Sequence, residues 1–113
     1  MIKIYHNPRC SKSRLGVAYL EDKKVDFEII KYLDESFTIE ELTAVISKLD
    51  MSPIDLIRKN EGIWKSEFKN KDLSDTKIIE AMVKYPKLIE RPIVVNGQKA
   101  VVGRPTELID KVL

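Results

Sequence analysis

Apolar positions along the chain fall into short blocks, and the spacing within each block indicates what it folds into. Ile2, Ile4 and Tyr5 mark a short buried strand over Met1 to Tyr5. Leu15, Val17, Ala18 and Leu20 then recur at helical spacing, which predicts a helix from Ser11 to about Asp22. The polar run Glu21-Asp22-Lys23-Lys24 ends it. Val25 to Tyr32 is partly alternating and rich in β-formers, so a second strand is expected there. A strand, a helix and a strand in that order predict a parallel pair joined by a right-handed crossover.

Helical signals dominate the next part of the chain. Thr38 is placed as an N-cap, with Glu41 three residues on as its capping-box partner. Leu42, Val45, Ile46 and Leu49 continue the pattern. Ser52-Pro53 predicts a further helix through Ile54, Leu56 and Ile57, with proline at its first position. Glu61 to Leu73 reads as a loop with a helical turn around Trp64 and Phe68. Ser74-Asp75 caps a helix carrying Ile78, Ile79, Met82 and Val83, stopped by Tyr85-Pro86. Pro92 to Val95 and Lys99 to Val102 are strands joined through Asn96-Gly97, a strong hairpin signal, and Glu107 to Leu113 is a closing helix. The expected fold is α/β: a single domain over residues 1–113, with a thioredoxin-like mixed sheet and a helical insertion at about 36–88, between the second strand and the C-terminal hairpin.

Composition narrows the setting. A chain of 113 residues, 43% hydrophobic and 34% charged, suits one globular domain with a modest core. A net charge of +2, with lysines and arginines dispersed, does not point to nucleic acid. No apolar run approaches the roughly 20 residues of a membrane helix, and MIKIYHNPRC has no signal-peptide h-region. A lone cysteine excludes an internal disulfide, so a cytoplasmic chain is expected, and with no dimer signature in the sequence it is expected to be a monomer.

That cysteine, Cys10, falls where the first strand gives way to the first helix. The unpaired N–H groups of a first helical turn, the positive end of the helix dipole, and the charges of Arg9, Lys12 and Arg14 favour a thiolate there. The same N–H groups can hold an oxyanion against the sulfur. Ser13 stands where a Cys-x-x-Cys motif would have its second cysteine, so any disulfide formed in turnover joins Cys10 to another molecule. Ser13 is expected to donate to the thiolate or cap the helix. The only histidine, His6, could stabilise the thiolate when protonated, take its proton when neutral, or serve structurally. Three residues, not five, separate Cys10 from Arg14, which argues against a phosphatase-type anion loop. Arg58 and the Arg91-Pro92 and Arg104-Pro105 pairs are the candidates for bidentate oxyanion contact, and Pro92 is a candidate cis-proline. Metal-ligand clusters, a P-loop and a dinucleotide fingerprint are absent from the sequence.

His6-Asn7-Pro8-x-Cys10-x-x-Ser13-Arg14, Leu56-Ile57-Arg58-Lys59-Asn60, Arg91-Pro92-Ile93-Val94-Val95 and Gly103-Arg104-Pro105 together resemble the glutaredoxin-linked arsenate reductase family, in order and over nearly the whole chain. The resemblance implies that Cys10 attacks arsenate or a similar oxyanion while Arg58, Arg91 and Arg104 bind it. His6, Asn7, Ser13 and Arg14 would tune and position the thiolate. Glutathione would be the co-substrate and glutaredoxin the partner that clears the resulting mixed disulfide, with no bound cofactor or metal. The Ser11-Lys12 pair departs from the small residues of the best-studied type. The rival readings are a glutathione-dependent disulfide reductase without arsenate activity, and a non-enzymatic regulator of the Spx type that docks on a protein. Spx-type regulators typically carry Cys-x-x-Cys, which Ser13 interrupts here.

Overall fold

A computed structural model describes residues 1–113, which divide into two compact units: Met1–Glu35 with Arg91–Leu113, and Ser36–Glu90. In the first unit, β1 (Ile2–Tyr5) leads through a short loop to α1 (Ser11–Asp22) and then β2 (Phe27–Ile30). The chain returns to this unit as β3 (Ile93–Asn96) and β4 (Lys99–Val102), and it ends in a 3₁₀ helix over Thr106–Val112. The four strands form one mixed sheet in the order β2-β1-β3-β4. β1 runs parallel to β2, with Ile4 beside Ile29, and antiparallel to β3, with Ile4 beside Val94. β3 and β4 form the antiparallel hairpin. Ile2, Ile4, Leu20, Val94, Ile109 and Val112 are the buried centre of this unit. Each fully buried aliphatic side chain there contributes about 1.5–3 kcal/mol of transfer free energy.

Several element boundaries differ from the sequence expectation, each for a local reason. β2 ends at Ile30 because Lys31 starts a turn, its carbonyl accepting from the N–H groups of Asp34 and Glu35. The hairpin loop is Gly97-Gln98, one residue later than expected, since Asn96 still pairs with Lys99. Gly97 takes the positive φ of 62° that the loop needs and that a side chain would oppose. The closing segment is 3₁₀, not α. A three-residue repeat puts Ile109 and Val112 on one face, where both are buried, and Asn96 Nδ2 donates to the Val112 carbonyl at 2.6 Å.

The second unit contains α2 (Ile39–Leu49), α3 (Gly62–Glu67) and α4 (Asp75–Lys84). The expected capping box is present: Glu41 N–H donates to Thr38 Oγ1 at 3.1 Å, and Thr38 N–H to Glu41 Oε1 at 3.0 Å. Ser74 Oγ accepts from Lys77 N–H at the start of α4. Leu42, Val45 and Ile46 of α2 are buried, as are Ile78, Ile79 and Met82 of α4. The helix expected after Ser52 is a single 3₁₀ turn, Pro53–Leu56. Its continuation is drawn into extended backbone, where Ile57 bridges Ile89 and Arg58 N–H donates to the Leu88 carbonyl at 2.7 Å. The helical turn expected around Trp64 is the short helix α3, which ends before Phe68, and Trp64 stacks on Phe68 at 5.6 Å. No helix is long and apolar enough to cross a membrane.

Candidate active site

The β1–α1 loop is tied down by its own polar groups before any ligand is considered. Asn7 Oδ1 accepts from Arg9 N–H at 3.0 Å, Arg14 Nη1 donates to the Pro8 carbonyl at 2.9 Å, and Cys10 N–H donates to the Asn7 carbonyl at 3.0 Å. Cys10 is itself the N-cap of α1, in extended backbone (φ −97°, ψ 123°), and its side chain caps nothing. Its carbonyl accepts from Arg14 N–H, so the helix begins directly behind the sulfur. The thiol is 9% exposed.

Burial pushes the Cys10 thiol up, but other groups outweigh it. These are the Ser13 N–H, the positive charge of Arg91, the Lys12 N–H and a hydrogen bond from the Arg91 side chain. The net result lies below the ordinary cysteine value. The helix start therefore acts as expected, but the dominant charge comes from Arg91 rather than from Arg9, Lys12 or Arg14. Arg14 is turned toward Pro8, and Lys12 contributes its backbone.

Arg91 is buried, and its Nε and Nη1 have no hydrogen-bond partner. Arg104 brings Nη2 to 4.0 Å from Cys10 Sγ. Two guanidinium groups therefore face one thiol. A buried cation with unpaired donors is costly, and an anion that accepts those donors would relieve the cost. The peptide bonds Arg91–Pro92 and Arg104–Pro105 are both cis, the second of them without a sequence expectation.

Ser13 is fully buried, and its hydroxyl is used within the loop: Oγ accepts from Asn7 N–H at 2.9 Å and lies 2.7 Å from His6 Nδ1. The Ser13 group acting on the sulfur is its N–H. Burial, then the nearby charge of Lys31, holds His6 below its ordinary value, so the imidazole is neutral near pH 7. Arg58 belongs to the second unit, where Nη1 donates to Glu61 Oε2 at 2.9 Å and to the Lys87 carbonyl at 3.4 Å.

Gly16 has no role in the sequence pattern, and Gly103 appears there only within the Gly103-Arg104-Pro105 motif; the packing gives both a part. A Cβ at position 16 would lie 2.8 Å from Pro92 Cγ, and one at position 103 would lie 3.3 Å from the same atom. Gly103 N–H also donates to the Pro92 carbonyl at 2.9 Å. The Pro92 ring is thus received between two glycines, which sets how near the Arg91–Pro92 segment comes to the helix that carries Cys10. Only the packing reveals this, because Gly16 otherwise reads as a weak point inside a helix.

A cysteine with a lowered thiol value at the first βα turn of a thioredoxin-like sheet places the chain among thiol-dependent oxidoreductases. The ArsC family model matches residues 5–112, and the chain belongs to that family. An arsenate reductase of Haemophilus influenzae is 40% identical over 112 residues, covering 97% of each chain. One from Neisseria meningitidis is 40% identical over 114 residues, covering 99% of this chain and 97% of its own. The solved structure of an arsenate reductase from Vibrio cholerae superposes with a TM-score of 0.94 at 40% identity, over 99% of this chain and 97% of that one.

Proposed function

We infer that this chain is a thiol-dependent oxidoreductase that reduces arsenate to arsenite through the Cys10 thiolate. The observation that carries the reading is the buried Arg91 guanidinium, two of whose nitrogens have no partner, beside a thiol held below its ordinary value. In the first step the thiolate attacks arsenic, a sulfur–arsenic bond forms and water leaves. Arg91 and Arg104 offset the negative charge that gathers on the oxygens. Glutathione then attacks the Cys10 sulfur. The sulfur–arsenic bond breaks with its electron pair remaining on arsenic, so arsenic is reduced and arsenite departs, while a disulfide joins Cys10 to glutathione. In sum, one arsenate and two thiols give one arsenite, one water and one disulfide. Glutaredoxin clears that disulfide and restores the thiol. His6, Asn7, Ser13 and Arg14 hold the loop so that the sulfur and the α1 N–H groups stay aligned. The enzyme works as a cytoplasmic monomer, where those external thiols are kept reduced. A disulfide reductase that never meets an oxyanion, or a regulator that docks on a protein, would leave the unpaired Nε and Nη1 donors of Arg91 without an acceptor.

The test is arsenate-dependent NADPH oxidation coupled through glutathione, glutathione reductase and glutaredoxin. Cys10→Ser should abolish turnover, and Arg91→Ala should lower it by about 10²–10³, the usual cost of losing one transition-state donor. Arg58, included in the anion-binding set by family resemblance, is judged by Arg58→Ala: a comparable loss supports its inclusion, and wild-type turnover removes it. A folded wild-type protein with no arsenate-dependent turnover overturns the whole reading.

A further inference from the structure

Within the second unit, Arg58 is fixed through both its backbone and its side chain. Its N–H donates to the Leu88 carbonyl at 2.7 Å, next to the bridge between Ile57 and Ile89. The chain then turns, and Glu61 N–H closes that turn on the Arg58 carbonyl at 3.1 Å. Glu61 stands at the N-cap of α3, a position that favours Ser, Thr, Asp or Asn because their short side chains accept from the first N–H groups. The Glu61 carboxylate caps nothing. It reaches back to Arg58 instead, where Oε2 accepts from Nη1 at 2.9 Å, both side chains being half-buried. The Lys87 carbonyl takes the same nitrogen in a longer contact of 3.4 Å. Nε and Nη2 make no hydrogen bond. Those two nitrogens form the side-on edge of a guanidinium, which can meet an oxyanion through two parallel N–H bonds.

We propose that Glu61 is a positioning residue for the reduction: by holding Nη1 it keeps the Nε–Nη2 edge of Arg58 open for bidentate contact with the oxyanion. This rests on the reading that Arg58 belongs to the anion-binding set, and it gives a part to a residue outside that set. An unheld arginine loses its rotamer freedom when the anion binds, which offsets the gain from the contact. Arg58 has already lost that freedom to Glu61 on folding. A carboxylate beside a guanidinium also offsets its charge, which by itself would weaken the hold on an anion. Positioning and charge offset thus give opposite signs when Glu61 is removed, and the placement of Oε2 on Nη1, away from the side-on edge, favours positioning.

The experiment uses the full chain and two readouts. One is kcat/KM for arsenate in the coupled assay. The other needs no turnover: it is the arsenate concentration that halves the rate of Cys10 alkylation by iodoacetamide, measured without glutathione. Glu61→Ala should lower kcat/KM and raise the halving concentration by about 10–10²-fold, as for a binding group misplaced by roughly 1 Å. Glu61→Gln, which keeps an oxygen to accept from Nη1, should recover most of the loss. Combining Glu61→Ala with Arg58→Ala should be no worse than Arg58→Ala alone, and the alkylation rate without arsenate should be the same in all variants. Wild-type values for Glu61→Ala, tighter arsenate binding in it, or losses that multiply in the double variant overturn the proposal. Wild-type turnover in Arg58→Ala would also overturn it, while leaving the reductase reading on Cys10 and Arg91 standing. Arsenate protection that weakens in Glu61→Ala, in a protein with no turnover, would do the reverse. A wild-type protein that arsenate neither protects nor is turned over by would remove both.

Discussion

At the scale of single residues, Cys10 shows which parts of its environment are local and which are not. The N–H groups of Ser13 and Lys12 follow the cysteine directly in sequence, so their effect was legible once a helix was expected to begin at Ser11. The charge that counts most was not, because Arg91 is distant along the chain and reaches the site only when β3 pairs with β1. Nearby Arg9, Lys12 and Arg14 looked equally suitable by proximity, but sequence proximity does not say where a long side chain points. A thiol whose value is lowered in the folded state is ionised above that value and loses its thiolate as pH falls through it. The rate of Cys10 alkylation by iodoacetamide should therefore have its midpoint below that of an ordinary cysteine. Arg91→Ala should move that midpoint upward, toward or past the free value, because burial then opposes ionisation with less to offset it. Arg9→Ala, which removes an exposed charge, should leave the profile in place. Equal shifts in both variants would mean that general positive charge, and not Arg91, sets the thiol.

At the scale of elements, the readable parts were those determined by short-range rules. The capping box at Thr38, the Ser74 cap and the full length of α1 follow from residues within one turn of each other. What sequence missed was decided by partners elsewhere: Ile57 is extended because Ile89 lies alongside it, and the C-terminal turn tightens to bury Ile109 and Val112 together. Gly16 belongs with these cases. By helix propensity alone, Gly16→Ala should stabilise α1 by about 1 kcal/mol. The added methyl would instead sit 2.8 Å from Pro92 Cγ and 3.2 Å from Ile4 Cδ1, against a proline ring that cannot rotate away. Overpacking of this kind costs about 1–3 kcal/mol, so the sign reverses and the variant should melt several degrees lower. Because the methyl presses on the segment that carries Arg91, the Cys10 alkylation midpoint should shift as well. A higher melting temperature with an unchanged midpoint would show that α1 and the Pro92 ring are not in the close contact described.

At the scale of the whole molecule, the decisive fact is that the chain holds one cysteine. Reducing arsenate takes two electrons, and a thiol gives up two only by pairing its sulfur with another. A second copy of the chain is a poor source of that sulfur. Disulfide geometry needs the two Cα atoms within about 4.4–6.8 Å, and Cys10 is buried. A small thiol has no such obstacle. Incubating the protein with arsenate and glutathione, without glutaredoxin, should thus give a species carrying one glutathione per chain on Cys10, read by mass spectrometry after alkylation. Arsenite should appear in step with it. Adding glutaredoxin should return the chain to its free thiol and restart arsenite release at a constant rate. Chains cross-linked through Cys10 would place the resolving sulfur in a second copy. Arsenite release without any glutathione on Cys10 would take the cysteine out of the electron path altogether, leaving the lowered thiol and the arginines around it without a role in the reduction.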